Sequence, residues 1–375
     1  MTIARVDAFV LRYPEPNDFN ALRMTVLVRI ATRDGVEGWG EGIAMWPEAC
    51  KATRIVVEEG LAPLVIGEDP RDVERLWQRM AAHLWWYGEG GIANFAMSAI
   101  DMALWDLKGK LSGEPLYRLL GGKVKERLPA NASTHPAQAD PEKGAEELAA
   151  LAAAGYQSVK FGFGKKGHAG LGVDPEHDAR FVRLVREAMG PGPGIIPDLG
   201  NAVKYDIATV LRLVRRFEEE AQISWIEEPF HPDDIEAHRQ LRANCSVLIA
   251  AGERDWTINQ YRRRLETGTV DVFGFDPGRA QGLTGFHKVA ALVAAARRFV
   301  NPHAWSSALT SAAGLHLAVT TPASVLFEFK PLENPMQHEL VDNPIDPVAG
   351  WAVPPEGPGL GVVPRDAVIE KYRVA

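Results

Sequence analysis

The sequence predicts an α/β chain in which an α+β unit precedes a parallel (β/α) barrel of eight strands. Three observations carry that reading. Between about residues 125 and 330, short apolar runs alternate with helical patterns. Several runs are apolar almost throughout, as strands covered on both faces are. Three of them end in acids at a regular interval: Asp198, Glu227 29 residues later and Glu253 26 residues after that. A strand, a helix and two loops occupy about 25 to 30 residues, so the three acids belong at one end of three successive parallel strands.

Taken in order, residues 3–12 alternate apolar and polar side chains, as a half-buried strand does. Residues 14–23 read as a polar loop, 24–32 as a second strand, Asp34-Gly35 as a turn and 36–41 as a third strand. Residues 43–48 read as a second loop. Helical patterns follow at 51–64, 70–86 and 92–111. Strands first and helices after make an α+β unit over residues 1–124. The barrel strands are then expected at 127–133, 158–162, up to 198, up to 227, 247–253, 270–276, 299–303 and 325–329. Helices lie between them at 141–154, 175–189, 206–219, 232–243, 258–267, 285–297 and 307–319. Eight strands and seven helices over 125–334 suggest closure into a barrel. A doubly wound open sheet is the weaker alternative, since no glycine fingerprint follows the first strand. Residues 335–375 are rich in proline and glycine, end in a short strand or helix at 366–374, and are expected to pack back on the N-terminal unit.

Composition narrows the function. The net charge is −8 with no basic block, which argues against nucleic acid as the main partner. There is no apolar run of about 18 residues to span a membrane. The first twelve residues carry charges where a signal peptide is apolar. Two cysteines, Cys50 and Cys245, make no disulfide framework. A cytoplasmic enzyme is expected.

In such barrels the chemistry sits at the C-terminal ends of the strands. Those positions hold Lys160, Asp198, Glu227, Glu253, Asp276, His303 and Glu328. Asp198, Glu227 and Glu253 repel one another unless a cation joins them. Oxygen-only ligands favour a hard divalent ion, magnesium first. Beside such an ion the Lys160 ammonium is disfavoured, which makes it a base; alternatively it stays charged and binds a carboxylate. Asp276 next to His303 fixes the imidazole tautomer and gives a general acid/base near neutral pH. Glu328 lies between Phe327 and Phe329, which is expected to raise its pKa and let it donate to an anion. Asn201 is a candidate substrate contact.

These residues resemble the enolase superfamily, and within it the mandelate racemase subgroup (the mandelate racemase/muconate lactonizing enzyme family). The resemblance runs over nearly the whole chain. It is most specific at Ser98-Ala99-Ile100-Asp101-Met102-Ala103-Leu104-Trp105-Asp106-Leu107-Lys108, Leu120-Gly121-Gly122-Lys123, Trp225-Ile226-Glu227-Glu228-Pro229, Gly252-Glu253, residues 276–285 and Asn301-Pro302-His303. It implies an α+β capping domain over a modified TIM barrel, (β/α)7β, with Mg2+ on Asp198, Glu227 and Glu253 and a catalytic Asp276–His303 dyad. It implies that residues 14–23 and 43–48 are mobile capping loops, with Arg23 and Trp46 as substrate contacts, and an even-numbered homo-oligomer. One position departs from the pattern. The subgroup usually ends its second strand in Lys-X-Lys, and here the triplet is Lys160-Phe161-Gly162. A racemase needs a base on each face of its planar intermediate, whereas a dehydratase works with one. The expectation is therefore a Mg2+-dependent hydro-lyase. It would take the α-proton of an acid sugar, form an enediolate and release a 2-keto-3-deoxy acid. A 2-hydroxy-acid racemase or epimerase, with Lys160, Lys165 or Lys166 as second base, is the alternative, and a non-catalytic metal-binding scaffold a third reading.

Overall fold

The structure is a computed structural model that describes residues 1–164, 168–200 and 203–374. Strands β1 (Ile3–Glu15), β2 (Ala21–Thr32) and β3 (Glu37–Met45) form the expected antiparallel meander. Helices α1 (Pro47–Ile55), α2 (Ala62–Val65), α3 (Val73–Leu84), α4 (Gly91–Ser112) and α5 (Leu116–Leu119) follow. α4 lies directly on β3 because three alternate residues of that strand, Gly38, Gly40 and Gly42, have no side chain. A Cβ on Gly40 would stand 2.1 Å from the Ala99 carbonyl oxygen, and one on Gly38 2.3 Å from that of Ala103. The small residues of the 98–108 stretch are thus the complement of a glycine stripe.

The two expected loops are more ordered than the sequence suggested. β1 and β2 stay paired out to Glu15 opposite Ala21, so residues 14–23 form the end of a hairpin. Its turn is closed by Phe19 and Asn20 at φ 53° and 58°. β3 runs on through Met45 and α1 begins at Pro47, which leaves almost nothing of a loop at 43–48.

The barrel strands are β4 (Leu128–Thr134), β5 (Ser158–Gly162), β6 (Gly194–Asp198), β7 (Trp225–Glu227), β8 (Leu248–Ala251), β9 (Val272–Phe273), β10 (Phe299–Val300) and β11 (Phe327–Phe329). They pair in parallel in the order β10-β9-β8-β7-β6-β5-β4-β11. A parallel bridge between Val300 and Ser324, just ahead of β11, closes the seam. The seven intervening helices are α6 (Pro141–Ala153), α7 (Pro175–Met189), α8 (Ile207–Arg216), α9 (Ile235–Asn244), α10 (Ile258–Thr267), α11 (Gly282–Ala295) and α12 (Ala308–Thr320). α6, α7, α8 and α9 each start behind an aspartate, Asp140, Asp174, Asp206 and Asp234, whose carboxylate accepts from a first-turn N–H.

α12 is buried on every side, which a helix tolerates only when it is covered all round. The covering comes from the tail, where Met336, Leu340 and Leu360 join the same core. That tail adds β12 (Trp351–Ala352), antiparallel to the start of β4, and α13 (Asp366–Tyr372). It reaches β1 through the Val374 N–H, which donates to the Val10 carbonyl. The capping unit meets the barrel where Asp101 accepts from the Thr284 N–H and hydroxyl and Ser98 accepts from the Gly282 N–H. Gly282 has φ 75°, and a Cβ there would come 2.2 Å from Asp101 Oδ2, so only glycine fits. Among the described residues no helix is long and apolar enough to cross a membrane.

Candidate active site

Parallel pairing brings the acids together. Asp198 is directly opposite Glu227 in the β6–β7 ladder, and Glu227 is opposite Ala250. Glu253 stands two residues past β8, behind Gly252 at φ 131°. Its neighbours are held by Glu228, whose buried carboxylate accepts from the Gly252 N–H at 2.9 Å and the Arg254 guanidinium at 2.8 Å. Glu227 faces the barrel axis while Glu228, at φ 45°, fixes the next strand's loop. The two adjacent glutamates therefore have different work.

Lys160 is the hub of the site. Its Nζ lies 2.6 Å from Glu227 Oε1, 2.7 Å from Glu328 Oε1 and 3.7 Å from Asp198 Oδ2. Burial alone would lower its pKa; Glu227, Glu328, Asp198 and Glu253 override that and hold it well above the ordinary lysine value. As the side chains stand, Lys160 makes ion pairs with carboxylates, the second of the two roles open to it. Glu328 differs from expectation for the same reason. Burial pushes its carboxyl up, but Lys160 and His303 outweigh it and the group stays ionised. It accepts from the Ala304 N–H at 3.0 Å.

The Asp276–His303 pairing is direct, with Nδ1 2.6 Å from Asp276 Oδ2. β9 and β10 are shorter than expected, yet their ladder continues: the Asn301 N–H donates to the Phe273 carbonyl and the His303 N–H to that of Phe275. This register sets His303 beside Asp276. The Gly278 N–H, donating to Asp276 Oδ1 at 2.7 Å, fixes the carboxylate. The Nε2 faces the pocket, 3.3 Å from Glu253 Oε2. Burial lowers the His303 pKa, and Glu253 with Asp276 more than reverses it.

The oxygen-only donor set fits a hard divalent cation in type. Burial pushes the Asp198 carboxyl up to about 6 and raises that of Glu227 as well, the behaviour of acids short of positive charge. The set is not closed, however. Among the described residues no three His, Cys, Asp or Glu side chains stand close enough together to hold an ion as placed. Glu227 is turned to Lys160 and Glu253 to His303.

Asp198, Glu253, Lys160 and His303 line a pocket completed by Arg23, Met45, Ser133, His135, Arg279 and Trp305. Arg23 is in place, stacked 4.7 Å over the Trp305 ring and bonded to Asp18 at 2.9 Å. Trp46 is not: it is 65% exposed ahead of α1, and its neighbour Met45, at φ 61°, lines the pocket instead. Asn201 and the loop lysines Lys165 and Lys166 lie outside the described residues. The sequence reading missed Arg279, which donates to the Glu253 carbonyl at 3.1 Å, and Ser133, which accepts from the Trp305 indole at 2.7 Å. It also missed two buried carboxylates under the site. Glu15 pairs with Lys330 at 2.6 Å with both side chains fully enclosed. Glu41 accepts from Thr25, Ser306, Ser307 and Thr310. Gly278-Arg279, just past Asp276, was the available signal for Arg279; the partners of Glu15 and Glu41 lie too far off in sequence to leave one.

Comparison with known proteins places this architecture. Residues 20–121 match the mandelate racemase/muconate lactonizing enzyme N-terminal domain, and residues 143–368 match the enolase C-terminal domain-like family. The chain is 31% identical to the D-galactarolactone cycloisomerase of Agrobacterium fabrum, covering 93% of this chain and 91% of that protein. It is 30% identical to the D-gluconate dehydratase of Thermoproteus tenax, covering 99% and 74%. A crystal structure of a racemase from Streptomyces coelicolor with bound magnesium superposes with a TM-score of 0.87 at 26% identity, covering 99% and 100%.

Proposed function

The chain belongs to the mandelate racemase/muconate lactonizing enzyme family of enolase-like enzymes, and from that premise we propose that it is a sugar-acid dehydratase. The reaction removes the proton next to the carboxylate and expels the oxygen on the next carbon, giving a 2-keto-3-deoxy acid. The observation that carries the reading is the asymmetry of the bases. His303, oriented by Asp276 at 2.6 Å, presents Nε2 to the pocket. On β5, by contrast, Gly162 stands where a second lysine would serve the other face, and Lys160 is tied to three carboxylates.

His303 takes the α-proton at Nε2, and Asp276 stabilises the imidazolium through Nδ1. Asp198, Glu227 and Glu253 would hold Mg2+, which when bound supplies positive charge to the carboxylate end of the substrate as negative charge develops there. Lys160 adds its ammonium to the same end. Arg23 and Arg279, both nearly buried, orient the polyol. The relative named as a lactone cycloisomerase favours a second reading, in which the same elimination opens a ring C–O bond. A single base next to an acidified α-carbon serves both.

The test is incubation with Mg2+ and a panel of mono- and diacid sugars and their lactones, with 2-keto acid trapped by semicarbazide. Absorbance growth with an open-chain acid supports the dehydratase. Growth with lactones alone supports ring opening, and no growth with any of them contradicts both.

A further inference from the structure

The base at His303 leaves one proton unaccounted for. A β-hydroxyl departs as water only when it receives a proton, and among the described pocket residues few can donate one. Among the described pocket residues, Lys160 is committed to Glu227, Glu328 and Asp198, and His303 is the base. The second imidazole that lines the pocket is that of His135. It lies one residue beyond β4, and by strand alternation it faces the same side as Ser133, into the pocket. It is 8% exposed and packs 5.0 Å, centroid to centroid, from Trp305. Trp305 is in turn fixed by its indole bond to Ser133.

Barrel order gives this position its meaning. The three acids that anchor the carboxylate end follow β6, β7 and β8, and β4 with β11 lies across the mouth from β7. A sugar acid held by its carboxylate on the first side extends its C3 and later carbons toward the second, where His135 stands. We propose that His135 is the general acid that protonates the leaving oxygen. The step balances without a further reagent. The Cα–H bond breaks and its proton goes to His303, while the Cβ–O bond breaks with its electron pair on oxygen. His135 supplies the proton that turns that oxygen into water. The enol then takes a proton at C3 and becomes the ketone, and His135 is reprotonated from solvent.

This rests on the dehydratase reading, and the experiment separates the two. His135→Gln and His135→Asn are assayed in D2O with the sugar acid that the unaltered enzyme dehydrates, and with its 3-deoxy-3-fluoro analogue, whose fluoride leaves without protonation. General acid catalysis contributes about 10^2- to 10^4-fold. Product formation from the hydroxy acid should fall at least about 100-fold, while α-deuterium exchange stays within about threefold and the fluoro analogue is converted within about tenfold of the unaltered enzyme. A merely structural histidine lowers all three together, and that result overturns the proposal. So does full elimination by both variants, which returns both proton transfers to His303, and so does the same selective loss in Lys165→Ala or Lys166→Ala with none in His135→Gln. Failure of the unaltered enzyme to eliminate from any sugar acid defeats the dehydratase reading and this one with it.

Discussion

Glu41 offers the sharpest perturbation outside the chemistry. Its carboxylate comes from the capping unit and is fully buried. Oε1 accepts from Thr25 Oγ1 at 2.6 Å and from the Ser306 hydroxyl; Oε2 accepts from the Ser307 N–H at 3.1 Å, Ser307 Oγ at 2.5 Å and Thr310 Oγ1 at 2.6 Å. Ser307 is also the cap of α12. One carboxylate thus ties two strands of the capping unit to the helix that follows the His303 segment. In Glu41→Gln the amide oxygen keeps the Ser307 contacts, and the Thr25 and Ser306 hydroxyls turn to accept from the new NH2. What is lost is charge assistance on four hydroxyl bonds, about 1 kcal/mol each. About half of that returns because an amide is cheaper to bury than a carboxylate. The net loss is about 2 kcal/mol. Glu41→Ala strands four hydroxyls and an N–H, and costs more than about 4 kcal/mol at roughly 1–3 kcal/mol per unmatched donor. Equilibrium urea unfolding, followed by tryptophan fluorescence, reads both. Midpoints for both variants within about 0.5 kcal/mol of the unaltered chain, on the usual linear extrapolation, would refute the reasoning.

Three further outcomes are expected. Removing one member of the enclosed Glu15–Lys330 pair leaves a buried charge, so Glu15→Gln and Lys330→Ala should each cost about 3–5 kcal/mol, and the Glu15→Leu/Lys330→Met double variant should cost less than either single change; a double-variant loss equal to the sum of the singles would count against this. His316, buried beside Tyr117 with Nε2 on the Leu360 carbonyl, has its pKa lowered from 6.5 to about 4 by burial. The folded state therefore holds it neutral, and the stability this gives is present above pH 6.5 and lost as pH falls towards 4, about 3 kcal/mol in all; stability curves of His316→Gln should lack that slope, and an unchanged slope would show that other groups govern it. Asp276→Asn should lower kcat about 10^3-fold with an unchanged circular dichroism spectrum, since it leaves the His303 tautomer unfixed; a loss under tenfold would remove Asp276 from the dyad.

The strand ends were legible because their signal is local. An apolar run that stops at a charged residue marks both a strand and its pocket end, which located Lys160, Asp198 and Glu227 on β5, β6 and β7. Asp276 and His303 were legible as occupants of adjacent strand ends, although the strands themselves are two residues each. What was not legible depends on partners far off in sequence. Glu15 meets Lys330 from 315 positions away, and Glu41 meets Ser306 from 265. Neither separation leaves a periodic trace. The ionisation of Glu328 was misread for a related reason: its aromatic neighbours are adjacent in sequence, while Lys160, which sets the sign, arrives from β5 across β4. Trp46 was taken from the likeness of residues 43–48 to a capping loop, whereas β3 runs on to Met45 and leaves Trp46 65% exposed ahead of α1.

The central claim is that one base, His303, drives an elimination. Proton NMR of the protein with Mg2+ in D2O, over mono- and diacid sugars, tests it most directly. The account predicts loss of the α-proton signal together with the methylene signals of a keto-deoxy product, and loss of both in His303→Asn. Deuterium entering the α-carbon with inversion and no elimination would contradict it, because that outcome requires a second base, which Gly162 does not supply.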